Sequence, residues 1–136
     1  MQVRDGMSTD VLTVGPEHTL REAAQLMARR RVGSAVVVDP DQPGPGIVTE
    51  RDVLNAVGND HDLDRVRVRE YLKGKIVFAA PDWSLEEAAG AMTRGGFRHL
   101  IVVEGSEIVG MLSVRDVVRC WTEDGATSDM SAGATR

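Results

Sequence analysis

The sequence predicts a mixed α/β (α+β) fold built from two β-α-β-β-α repeats, and three duplications predict it. The stretch GIVTERD (46–52) returns as GMLSVRD (110–116). The longer segment TLREAAQLMARRRVGSAVVVD (19–39) returns as SLEEAAGAMTRGGFRHLIVVE (84–104). VLTV (11–14), ahead of Pro16, returns as IVFA (76–79), ahead of Pro81. The offset is the same from Pro16 to Pro81 and from Thr19 to Ser84, and is one residue shorter from Asp52 to Asp116. That change falls between the loops DQPGPG and EGSE, where a length difference is best tolerated.

Each element follows from local chemistry. VRDGMS (3–8) and VREYLK (68–73) predict a short helical turn at the head of each repeat. VLTV and IVFA read as short buried strands closed by a proline turn. The first long helix of each repeat starts with a capping box, Thr19 with Glu22 and Ser84 with Glu87. Leu20, Ala23, Ala24 and Met27, and Leu85, Ala88, Ala89 and Met92, form the inward stripe. Gly33 and the Gly95-Gly96 pair are expected to end these helices. AVVVD and HLIVVE are β-branched buried strands, and GIVT and EIVGMLS return as hairpin partners. The last helix of each repeat starts at Glu50 or Val114. Strands joined by a helical crossover run parallel, and hairpin strands antiparallel.

The expected boundaries are 3–58 for the first repeat, 59–65 for a polar linker and 66–121 for the second repeat. Residues 122–136 are small, polar and patternless, which predicts a disordered tail. A repeat of roughly 60 residues buries too little surface to be more than marginally stable alone. The two are therefore expected to pack sheet to sheet about a pseudo-two-fold axis.

Composition narrows the function. Of 136 residues, 42% are hydrophobic and 27% charged, with a net charge of −5 and a pI near 5.2. That balance argues against an electrostatic nucleic-acid surface. The longest aliphatic runs are too short to span a membrane, and MQVRDGM has no secretory apolar region. Cys120 is the single cysteine, which fits a reducing compartment; a cytoplasmic location is expected. DPDQPGPGIVTE (39–50) has a superficial EF-hand spacing, but Pro43 stands at a ligand position and a strand precedes it. Arg29, Arg30 and Arg31 suit the last turn of a helix. His18, His61, His99 and Cys120 lack metal-ligand spacing, and no nucleophile has a visible base. Neither a metal nor catalysis is expected.

The duplicated junctions carry the candidate function. Thr49 with Asp52, and Ser113 with Asp116, place a hydroxyl at a strand end and a carboxylate three residues on. On its own such a pair is an ordinary helix start.

The junction motifs, the LREAAQLM and LEEAAGAM helices and the VGSAVVVD and FRHLIVVE strands together resemble a tandem CBS-domain pair, the cystathionine β-synthase or Bateman module. The resemblance covers residues 3–121, as a stand-alone CBS-domain protein. One departure is that Val36 or Val37, and Ile101, stand where a proline often sits.

The resemblance implies an adenine-nucleotide-binding regulatory sensor, with the ligand in the cleft between repeats and no cofactor required. AMP, ADP or ATP ranks ahead of NAD(H) or an S-adenosyl compound. An ionised Asp only accepts hydrogen bonds, which suits ribose hydroxyls, and a helix N-terminus favours phosphate. Arg98 and His99 are the expected phosphate contacts, Arg offering a planar fork of donors. Their first-repeat equivalents, Gly33 and Ser34, carry no charge. Leu12, Thr13, Val32 and Ile47, with Val77, Phe78, Phe97 and Met111, are candidates for an apolar adenine slot. Val53, Leu54, Val57, Val117, Val118 and Trp121 exceed what two repeats can cover, so a homodimer is expected, acting on an unidentified regulated protein. The alternative is a dimerisation or protein-interaction module with a vestigial cleft.

Overall fold

The computed structural model describes residues 1–72 and 76–123; of the expected tail, 124–136 lie outside the described residues, and Thr122 is the C-cap of the last helix. A short helical turn, α1 (Val3–Gly6), is followed by β1 (Thr13–Val14), α2 (Leu20–Arg30), β2 (Ser34–Val37), β3 (Gly46–Thr49) and α3 (Glu50–Gly58). A 3₁₀ turn (Val68–Tyr71) precedes β4 (Phe78–Ala79), α4 (Leu85–Gly95), β5 (His99–Glu104), β6 (Glu107–Ser113) and α5 (Val114–Trp121). The architecture is mixed α/β, with two three-stranded sheets ordered β1-β2-β3 and β4-β5-β6. In each sheet the first pair is parallel and the second antiparallel, as the crossover and hairpin require. No helix among the described residues is long and apolar enough to cross a membrane.

The chain divides into two compact units, one of Val11–Ile76 and one joining Met1–Asp10 to Val77 onward. Sequence repeat and packing unit are therefore not the same partition. The two short turns cause this. In one unit Val3 N–H donates to Trp83 O (2.7 Å) and Arg4 N–H to Pro81 O (2.9 Å). In the other, Val68 N–H donates to His18 O (2.8 Å) and Arg69 N–H to Pro16 O (3.1 Å). The same donors and acceptors recur at matched positions, so each turn docks on the repeat that does not follow it directly. The linker takes part: Leu20 N–H donates to Val66 O and Arg21 N–H to Leu63 O, satisfying first-turn donors that a helix cannot satisfy internally.

Each unit is a sheet with two helices on one face. The first core joins Leu12, Val14, Leu20, Ala23, Met27, Ala35, Val37, Val48, Ala56 and Val68. The second joins Val3, Ala79, Leu85, Ala88, Met92, Leu100, Val102, Leu112 and Cys120. Both capping boxes form, with Glu22 N–H donating to Thr19 Oγ1 (3.1 Å) and Glu87 N–H to Ser84 Oγ (3.0 Å). The backbone of Thr19 holds the Glu22 carboxyl below its ordinary range, its side chain adding to the effect. Burial pushes the Cys120 thiol up.

Gly33 does not end α2, contrary to the expectation from sequence. Arg31 does, in the left-handed conformation (φ 56) where α4 uses Gly96 (φ 71). The helix must stop there so that Val32 N–H reaches Met27 O (3.0 Å), as Phe97 N–H reaches Met92 O (3.0 Å). A non-glycine residue in this conformation costs about 1–2 kcal/mol. Gly46 and Gly110 serve close approach instead. A Cβ at Gly110 would lie 2.6 Å from Met7 Sδ, and one at Gly46 2.8 Å from Leu72 Cδ2.

Val3 is fully buried although it is the third residue of the chain. Val3→Ala should lower unfolding free energy by roughly 1.5–3 kcal/mol, the scale of one buried aliphatic side chain. Urea titration checks this. A loss below about 0.5 kcal/mol, the range of ordinary surface substitutions, would show that docking of the first turn contributes little.

Candidate functional site

Each junction is built by a strand running directly into a helix. Thr49 (φ −128, ψ 167) and Ser113 (φ −107, ψ 163) keep extended backbone at the N-cap, and the next residue is already helical. The carboxylate of the third helical residue then folds back. Asp52 Oδ2 accepts from Thr49 N–H (2.8 Å) and from the Thr49 hydroxyl (3.3 Å). Asp116 Oδ2 accepts from Ser113 N–H (2.8 Å), while Ser113 Oγ accepts from Asp116 N–H (3.1 Å). Both pairs therefore cap their helices. A carboxylate has about four lone-pair sites, so a cap does not exhaust its capacity to accept.

The sheet register gathers the remaining polar candidates around these carboxylates. Ser34 lies opposite Thr49 on β2 and β3, and His99 lies opposite Ser113 on β5 and β6. Gly33 O accepts from Glu50 N–H (2.9 Å), and Arg98 O accepts from Val114 N–H (2.9 Å). Gly33, Ser34, Thr49 and Asp52 thus cluster at one junction, and Arg98, His99, Ser113 and Asp116 at the other. Asp52 is almost wholly buried, whereas Asp116 is half-buried. Arg98 is exposed and His99 half-buried.

The apolar candidates divide by sheet face. Thr13, Val36 and Ile47 are register partners across the first sheet, as Phe78, Ile101 and Met111 are across the second. They alternate with strand residues of the two helix-side cores, so they lie on the face away from the helices. Leu12 belongs to the first helix-side core itself, with Val32 packed against it, and Val77 packs on the second. Phe97 lies against Gly95, where a Cβ would collide with its ring. The register therefore does not bring Leu12, Val32, Val77 and Phe97 to the sheet faces away from the helices.

Two residues at the junctions were not singled out from sequence. Arg119 Nη2 lies 3.3 Å from Asp116 Oδ1 and donates to Gly6 O (3.1 Å), and the hydrogen bond to Asp116 raises its pKa. The signal was present, since residues three apart share a helix face. Glu50 is the other. The three atoms nearest a Cβ built on Gly33, at 3.1–3.3 Å, are Cδ, Oε1 and Oε2 of its side chain.

The junctions differ in charge as a result. Gly33, Glu50 and Asn55 in the first repeat stand where Arg98, Val114 and Arg119 stand in the second, while Arg51 matches Arg115 and Asp52 matches Asp116. Over these matched positions the charged side chains of the first repeat sum to a net negative charge, and those of the second to a net positive one.

The chain matches the CBS domain family profile over residues 2–59 and again over 68–123. A CBS-domain-containing protein from Agrobacterium tumefaciens shares 32% identity over 87% of this chain and 91% of that one, with a TM-score of 0.76. A CBS domain protein from Pyrobaculum aerophilum, solved in complex with AMP, shares 32% identity over 85% of this chain and 89% of that one, with a TM-score of 0.75. A protein of Methanocaldococcus jannaschii is 30% identical over 134 residues, 98% of this chain but 48% of that protein, so the chain spans about half its length. Two profile matches that fall on the two halves of the duplication leave one assignment: the chain belongs to the CBS-domain family, as a tandem pair.

Proposed function

We propose that this chain is a regulatory module that binds an adenine nucleotide at the strand-to-helix junctions. It works as a sensor in the cytoplasm rather than as an enzyme. The observation that carries this reading is the duplicated carboxylate, Asp52 and Asp116, set beside a hydroxyl at a helix N-terminus, with Arg98 and His99 gathered at the second copy. The AMP complex of the Pyrobaculum aerophilum relative supports the ligand class. AMP, ADP or ATP is the proposed ligand, ahead of NAD(H) or an S-adenosyl compound, and no further cofactor is needed. Asp accepts from ribose hydroxyls, and Arg98 and His99 meet the phosphate. The sheet faces away from the helices, with Thr13, Ile47, Phe78 and Met111, supply apolar surface for the base. Binding then shifts the population between two states of the chain that differ in affinity for the nucleotide, and an unidentified protein reads the shift.

The second reading, a dimerisation module, has its own support. Leu54 and Val57 on α3 are 68% and 54% exposed, and Val118 and Trp121 on α5 are 50% and 65% exposed. Clustered apolar exposure of this kind marks an interface, and a two-fold dimer is the usual solution. The two readings are compatible. They part on whether a nucleotide binds.

Calorimetry with AMP tests the first reading and ranks the sites. Each charge-assisted hydrogen bond to phosphate contributes about 1.5–3 kcal/mol, so the arginine-bearing junction is the tighter site. Asp116→Ala should remove the tighter event and Asp52→Ala should leave it. Arg98→Ala should weaken AMP far more than adenosine. Absence of any heat with adenine nucleotides, or loss of the tight event in Asp52→Ala alone, would contradict the proposal. Light scattering at tens of micromolar tests the second reading: a dimer is expected, and a monomer would count against it.

A further inference from the structure

We propose that Glu50 is a specificity-determining residue, which turns the first junction away from 5′-phosphates and toward adenosine derivatives that are neutral or positively charged at that end. The inference rests on the reading of Asp52 and Asp116 as ribose-binding carboxylates and goes on to name the ligand chemistry of the first of them.

The geometry begins with two matching backbone hydrogen bonds. Glu50 N–H is held on Gly33 O at 2.9 Å, and Val114 N–H on Arg98 O at 2.9 Å. At the second junction a side chain leaves the backbone at Arg98 and ends in a guanidinium. At the first, that side chain is missing and an anion fills its place. A Cβ at Gly33 would lie 3.1 Å from Glu50 Cδ and Oε1 and 3.3 Å from Oε2. The position that launches a cation in one repeat is therefore covered by a carboxylate in the other. Val114, at the place of Glu50, offers no charge in return.

Arg51 does not offset this difference, because Arg115 occupies the same place in the second repeat. Asn55, where the second repeat has Arg119, removes a further positive charge. A phosphate monoester carries about −1.5 to −2 charges near pH 7, so Glu50 and Asp52 together repel it. The same pair attracts a cation. Glu50 is exposed, so salt screens its field and the preference is graded rather than absolute. A 5′-hydroxyl feels little of it.

Calorimetry in an Asp116→Ala background isolates the first junction, with AMP, adenosine and 5′-amino-5′-deoxyadenosine as probes. The amine should bind more tightly than adenosine, and adenosine more tightly than AMP. Glu50→Val, which installs the second-repeat residue, should tighten AMP by about tenfold, equivalent to about 1.4 kcal/mol. It should erase the advantage of the amine and leave adenosine within about twofold. Glu50→Gln keeps the side-chain shape and should act in the same direction, which guards against a folding defect in the first variant. Unchanged ratios among the three probes in both variants would overturn the assignment of Glu50. If adenosine binding is insensitive to both Asp52→Ala and Asp116→Ala, the ribose reading itself fails, and that outcome is separate from the first.

Discussion

A carboxylate that folds back onto its own N-cap is the interaction on which each junction depends. Asp52 and Asp116 both take the N–H of the residue three positions earlier at 2.8 Å. That bond satisfies a donor that the helix leaves open, fixes the extended N-cap backbone, and directs the strand into the helix without an intervening loop. It also locks the aspartate side chain before any ligand arrives. A preset acceptor loses little freedom on binding, which is the general advantage of preorganisation. Cap and candidate ligand contact are thus two uses of one side chain. The charge balance favours placing the carboxylate at a helix start in either case.

The junctions can be this sparse because the fold around them is held elsewhere. A repeat of about 60 residues has a small core, and each unit completes its core with a turn drawn from a distant part of the chain. Val3 joins Leu100 and Leu112 in one core, and Val68 joins Leu20 and Val37 in the other. Gly6 lies so close to Cys120 that a Cβ there would sit 2.6 Å from its sulfur. Arg119 extends the connection by joining the Gly6 carbonyl to Asp116. The N-terminal turn and the second junction therefore share one side chain.

Much of this was legible in the sequence, and what was not has physical causes. The strands, the capped helices and the parallel and antiparallel pairings follow from periodicity and from the duplication, because those signals are local. The docking of Val3 on the second repeat is not local, and nothing within residues 3–8 distinguishes the two possible hosts. Arg31 as the end of α2 was hidden because glycine is the usual left-handed residue, and Gly33 stood two positions away with a different task. Among the candidates, Ser34 with Thr49 and His99 with Ser113 were brought together by register. Leu12, Val32 and Val77 went to the helix-side cores, since the phase of so short a strand cannot be read from an unbroken apolar run. Glu50 carries no local signal, because its meaning depends on the absence of a side chain at Gly33.

Under the proposed reading, the unequal charge of the two junctions divides their labour, one site suited to phosphate and one not, on a shared ribose-binding frame. The frame is the central claim, and the ribose hydroxyls test it without involving the phosphate. Calorimetry should compare adenosine with 2′,3′-dideoxyadenosine on the unmodified chain and on the Asp52→Ala, Asp116→Ala double variant. An ionised carboxylate that accepts from ribose should make adenosine bind at least about tenfold more tightly than the dideoxy compound, and the double variant should bind the two alike. Equal affinity for both nucleosides on the unmodified chain would show that Asp52 and Asp116 are helix caps and nothing more.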